Sequence, residues 1–147
     1  MKGMSLIVRT ISRLIVAPIL LFGIYIVLHG HLTPGGGFPG GVIIAAGIAL
    51  LVLAYGLEAT TKKITYGGTK IIDSFGAFLF VLIAFGGIAI GYFFFAPYWG
   101  LIGGTPAQWV SAGGIPYYNI AIGIKVAGAL AAMFLGLVIV LMAGEEE

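Results

Sequence analysis

Cysteine is absent from this chain of 147 residues, and only 8% of its residues are charged. Without cysteine the chain builds no disulfide, thiolate metal site, self-ligated iron–sulfur cluster or cysteine nucleophile. Any redox chemistry must belong to a partner. A soluble domain carries charge on about a quarter of its residues, so the polar surface needed to enclose a water-soluble core is missing. Asparagine and glutamine are nearly absent as well, represented by Asn119 and Gln108 alone, a depletion associated with proteins of very hot environments.

Apolar residues dominate, at 61% of the chain. One uncharged stretch runs from Leu14 to Leu57 and another from Ser74 to Ile124. Each exceeds a single bilayer crossing of about 20 apolar residues. Period-two alternation, which a membrane β-barrel requires, is missing. The expected fold is therefore all-α: a polytopic membrane protein with four transmembrane helices, at about 14–29, 39–57, 71–95 and 117–143. Met1, Lys2, Arg9 and Arg13 before the first apolar run resemble a secretory signal, but no small-x-small cleavage site follows and further spans do. The run is expected to stay as the first span. No repeat, linker or low-complexity tract interrupts the chain, so residues 1–147 read as one domain.

Lys2, Arg9 and Arg13 precede the first span, and Lys62, Lys63 and Lys70 lie between the second and third. The connections from His29 to Phe38 and from Ala96 to Pro116 hold no Lys or Arg. The positive-inside rule then places the protein in the cell membrane with both termini cytoplasmic. Tyr98, Trp99, Trp109, Tyr117 and Tyr118 form the expected aromatic belt on the outer side.

Glycine, at 25 residues, follows helical spacing within the spans. Asp73, Gly76, Ala77, Phe80, Ala84, Gly87 and Gly91 fall on one stripe, and Ala121, Lys125, Gly128, Ala129, Ala132 and Gly136 on another. Small residues let helix backbones approach where lipid supplies no hydrophobic drive between helices. These faces point at protein, within the chain or in a partner subunit.

Lys125 is the sharpest signal for chemistry. It lies eight residues past Tyr117, roughly 12 Å into the fourth span at 1.5 Å per residue. An ionisable side chain at that depth pairs, faces water or snorkels, and it is a candidate for proton or cation passage. Glu58 and Asp73, near the cytoplasmic boundary, are candidates for an ion entrance; the plainer reading pairs them with Lys62, Lys63 or Lys70. Around His31, the segment Thr33-Pro34-Gly35-Gly36-Gly37-Phe38-Pro39-Gly40-Gly41 combines glycine freedom with proline restraint. It lacks the Lys and Ser/Thr that close a phosphate loop, and two nearby histidines supply too few ligands for a metal site. Either it is a close-packed turn against a neighbour, or its carbonyls and His31 serve a cation or proton.

The run Gly30-His31 followed by Pro34-Gly35-Gly36-Gly37-Phe38 and Gly40-Gly41 resembles the Gly-His-x-x-Pro-Gly-Gly-Gly-Phe-x-Gly-Gly signature of the MrpB/MnhB subunit of multisubunit sodium/proton antiporters. Arg9-Thr10-Ile11-Ser12-Arg13 and the span layout are similar as well, with Pro39 standing where the family often has a bulky aliphatic residue. The same subunit type occurs in the archaeal membrane-bound nickel–iron hydrogenase and its sulfur-reducing relative. The resemblance implies a non-catalytic membrane subunit of a module that translocates Na+ and H+, packed among other small antiporter-like subunits. In the hydrogenase-type setting a peripheral arm would carry the nickel–iron and iron–sulfur centres, leaving no cofactor in this chain. The alternative is a subunit of a stand-alone antiporter, or of the sulfur-reducing relative, with a purely structural packing role. Nucleic acid is not among the expected partners. The resemblance assigns no role to Lys125, which rests on physical argument alone.

Overall fold

The computed structural model describes residues 4–32, 34–95 and 112–144. Among these residues the structure is helical without strands, and four of the helices are long and apolar enough to cross a membrane. The order is α1 (Leu6–His29), α2 (Gly37–Tyr55), a short α3 (Leu57–Thr61), α4 (Tyr66–Ala89) and α5 (Ile115–Ala143). Trp99, Trp109 and Tyr98 of the expected aromatic belt lie outside the described residues, as do Thr33 and the terminal glutamates.

Helix α1 begins at Leu6, ahead of the expected Leu14, because Arg9 and Arg13 ride on the helix instead of preceding it. A long cationic side chain keeps its methylenes on apolar surface while its head reaches the headgroups, so charge does not end the helix. Pro18 inside α1 removes one ladder hydrogen bond, a loss that membrane helices tolerate. Helix α2 starts at Gly37, which places Pro39 in the first turn, where its missing N–H would have lacked a partner in any case. Gly56, at φ 86°, breaks the chain between α2 and α3. Helix α4 runs from Tyr66 to Ala89, displaced toward the loop lysines from the expected 71–95.

The helices pack in the order α1, α2, α5, α4, with α1 also touching α5. Helix α4 meets the bundle chiefly through α5. Met4 N donates to Ala54 O at 3.0 Å, and Met142 packs near Leu57 and Ile64, so the start of α1 and the end of α5 share one end of the bundle with α3. A small apolar cluster of Val52, Leu135 and Val138 closes that end. Large side chains such as Leu6, Leu14, Phe22, Ile71, Phe78, Phe85, Met133 and Val140 point outward. Small residues inside and bulky apolar ones outside suit a bundle surrounded by lipid and neighbouring helices, where burial supplies no hydrophobic gain between helices.

Candidate functional site

The two small-residue stripes pack on each other. A Cβ added to Gly128 would lie 2.6 Å from the Asp73 amide nitrogen, and one added to Gly76 would strike the Lys125 backbone. Gly136 faces the Tyr66 ring, and Phe80 meets Tyr118 with ring centroids 5.4 Å apart, so α4 and α5 run antiparallel at close range. Glycine is required at Gly76 and Gly128 because any side chain would hold these backbones apart.

That approach brings two charges together. Lys125 Nζ donates to Asp73 Oδ1 at 2.8 Å. The expected pairing of Asp73 with the loop lysines is therefore corrected. Lys70 instead sits over the Tyr66 ring, 4.6 Å from its centroid. Asp73 is two turns into α4, on the face that meets α5, and its carboxylate points across the helix contact, away from the loop.

The depth of the pair follows from the helix register. Lys125 is level with Gly76, which lies ten residues from the Tyr66 end of α4, while Lys125 lies ten residues from the Ile115 end of α5. Each distance is about 15 Å at 1.5 Å per residue, so the Lys125 backbone lies well inside two helices long and apolar enough to cross a membrane. The pair is not enclosed by this chain: 47% of the Lys125 side chain and 33% of the Asp73 side chain remain open. An ionised group at that depth requires protein or water against its open side.

The glycine segment docks on α5 above this pair. Gly36 adopts φ 135°, within a region that favours glycine, and lies 3.8 Å from Asn119 Oδ1 when given a Cβ. Gly37 abuts the Asn119 carbonyl so closely that a Cβ would overlap it. Asn119 is six residues from Lys125, about 9 Å along the helix. Nearby in sequence, both ring nitrogens of His31 are shielded and have no hydrogen-bond partner among the described residues. Pro34, Gly35 and Phe38 are exposed, whereas Gly36, Gly37, Gly40 and Gly41 are buried, with Gly40 against Val27 of α1 and Gly41 against Val126 of α5. The segment thus wedges α2 between α1 and α5.

Of the four candidate residues, the structure joins Asp73 to Lys125 and sets His31 in the segment that docks one level higher. Glu58 lies on α3, and its side chain is outside the described part of the structure. Asn119 is a site residue that hydropathy and motif spacing do not mark. Its one signal is rarity, as the single asparagine of a chain otherwise stripped of carboxamides except Gln108. Thr69, buried on the α4 face, donates its hydroxyl to Tyr66 O at 2.8 Å. Among the described residues no group of three or more potential metal ligands comes together.

A family model described as a domain related to the MnhB subunit of Na+/H+ antiporters matches residues 7–132. A Na+/H+ antiporter subunit of Bacillus subtilis is 39% identical over 90 residues, covering 61% of this chain and 62% of its own length. The corresponding antiporter subunit of Alkalihalophilus pseudofirmus is 33% identical over 91 residues, 62% of each. An uncharacterised protein of Methanocaldococcus jannaschii is 39% identical over 118 residues, 77% of this chain and 45% of its own length. A chain of the membrane-bound sulfane sulfur reductase, an archaeal respiratory membrane complex, shares the fold with a TM-score of 0.76 and 35% identity, over 91% of this chain and 58% of that one. The chain spans less than two thirds of the length of each of these relatives.

Proposed function

The chain belongs to the family of domains related to the MnhB subunit of Na+/H+ antiporters, and from that premise we propose that it is a non-catalytic membrane subunit of a module that translocates Na+ and H+. The observation that carries this reading is the Asp73–Lys125 pair, 2.8 Å long and partly open, between two helices long and apolar enough to cross a membrane. An ion pair left open in hydrocarbon is costly, so its open side faces a partner helix or a hydrated path. Both alternatives need a larger assembly. The small residues around the pair hold α4 and α5 close enough for the contact without enclosing it.

In this reading Asp73 exchanges its partner. When Na+ or a proton reaches the carboxylate, the Lys125 ammonium is released toward the open side, and it returns when the cation leaves. Charge at the carboxylate is compensated in both states, which keeps the barrier low in a low-dielectric setting. His31 and Asn119, one level higher on the side of the Gly30–Gly41 segment, extend the polar groups toward the other membrane face, and Glu58 stands near the opposite entrance. The glycine segment from Pro34 to Gly41 acts as the structural brace between α1, α2 and α5.

The likeness to a chain of the sulfane sulfur reductase supports a redox-driven respiratory complex as the setting, with the hydrogenase-type complex as its close alternative. Nickel–iron or iron–sulfur centres would then belong to partner subunits of a peripheral arm. The bacterial antiporter subunits support the second setting, a stand-alone antiporter. Orientation with both termini in the cytoplasm follows from the lysines and arginines at the α3 end of the bundle. The deciding experiment is Lys125→Met together with Asp73→Asn in the assembled complex, which removes both charges of the pair: sodium-dependent transport falls while the subunits stay together. Transport at the original rate would remove the pair from the path. Co-purification with hydrogenase, sulfur-reductase or antiporter subunits distinguishes the settings.

A further inference from the structure

At the end of the bundle that carries the basic residues, a pocket of about 410 Å³ opens between α1, the end of α2, and α3. Arg13 and Lys63 stand on its walls with Tyr55 and Thr60, and Leu51 and Ile64 make it apolar toward the bundle. The neutral polar groups do not answer these cations. Thr60 donates its hydroxyl to Gly56 O at 2.9 Å, and the Tyr55 hydroxyl donates to Arg9 O at 3.3 Å. Among the described residues neither Arg13 nor Lys63 has an ion-pair partner, the one described pair being Asp73–Lys125. One turn along α1, Arg9 Nε is shielded and has no hydrogen-bond partner among the described residues.

The level of the pocket narrows its occupant. Tyr55 is the last residue of α2 and Lys63 lies in the turn between α3 and α4, so the opening is where the helices leave the hydrocarbon. Cations there lie at headgroup depth, and basic pockets between membrane helices on the cytoplasmic side accept phospholipid headgroups. The wall continues inward through Ile64, which packs on the cluster of Val52, Leu135 and Val138. A ligand that touches both regions has an anionic head joined to an apolar tail. A free phosphate would leave the apolar wall unused, and a carboxylate from a neighbouring subunit would use only the cations.

We propose that this pocket binds one anionic phospholipid, its phosphate held between Arg13 and Lys63 and its first methylenes against Leu51 and Ile64. The inference is independent of the transport role given to Asp73 and Lys125.

Native mass spectrometry of the full chain in detergent tests it, with dioctanoyl phosphatidylglycerol and dioctanoyl phosphatidylcholine as probes. A single phosphatidylglycerol adduct should form at least about tenfold more tightly than the phosphatidylcholine adduct, given the attraction of each basic residue for an anionic headgroup. Lys63→Gln, a change at an exposed residue that leaves folding intact, should erase most of that preference, and Arg13→Gln with it the remainder. Lys62→Gln, beside the pocket but not lining it, should keep the preference. Equal binding of the two lipids, an unchanged preference in the Arg13→Gln/Lys63→Gln chain, or an equal loss in Lys62→Gln would each overturn the proposal. Displacement of the lipid by millimolar inorganic phosphate would do so too, by showing a phosphate site that needs no tail. In the assembled complex, carbodiimide coupling of Lys63 to a carboxylate of another subunit would replace the lipid with a protein partner.

Discussion

Lys125 Nζ lies 2.8 Å from Asp73 Oδ1 and ties α5 to α4 across 52 residues of sequence. Unpaired within hydrocarbon, either charge would cost up to about 3 kcal/mol on insertion scales. Lys125→Met or Asp73→Asn alone should therefore weaken assembly more than the two together, because the double change removes both charges. Recovery of complex on a native gel in the double variant, with sodium uptake into inverted vesicles still lost, is the expected pattern. Full uptake in the double variant would reduce the pair to a clasp between helices.

The glycines of the α4–α5 contact should be sensitive in a way their neighbours are not. Gly128→Ala places a methyl group 2.6 Å from the Asp73 amide nitrogen. Overpacking of this kind costs about 1–3 kcal/mol, and it should also lengthen the ion pair. Gly68→Ala, where nothing lies within 4 Å, should be neutral or stabilising by up to about 1 kcal/mol through helix propensity. Thermal unfolding in detergent compares the two; equal loss in both would contradict the close packing described for α4 and α5.

The segment from Pro34 to Gly41 should fail at its buried glycines and tolerate change at its exposed positions. Gly36→Leu meets a backbone at φ 135°, and Gly37→Ala meets the Asn119 carbonyl. Each should cost about 1–3 kcal/mol or more and release α2 from α5, read as loss of assembled complex. Pro34→Ser, on an exposed residue, should assemble normally. An intact, active complex with Gly36→Leu would contradict the bracing role.

Topology is open to a direct measurement because the native chain has no cysteine to remove. A single cysteine at Lys62 should react with a membrane-impermeant maleimide only in inverted vesicles, and one at Pro34 only in intact cells. The reverse pattern would overturn the orientation drawn from the basic residues.

Much of the architecture was legible in the sequence because hydrocarbon imposes a simple rule: each crossing must be apolar and helical. Hydropathy therefore located all four long helices. Their ends were less legible, since Arg9 and Arg13 looked like a flank but lie within α1. The partner of Asp73 was not legible for a related reason. Three lysines lie close to it in sequence, at Lys62, Lys63 and Lys70, whereas the residue that meets it is on another helix.

The sequence by itself determined that this chain crosses a membrane four times, that two helices carry small-residue stripes, and that each stripe holds one ionisable residue. Composition and periodicity act locally, so they decide these properties before any helix meets another. The tertiary structure alone decided that the two stripes face each other, that the glycine segment seats on Asn119, and that Asp73 and Lys125 meet with one side left open. Those outcomes depend on the register and rotation of packed helices, which are set by close contacts between backbones far apart in the chain.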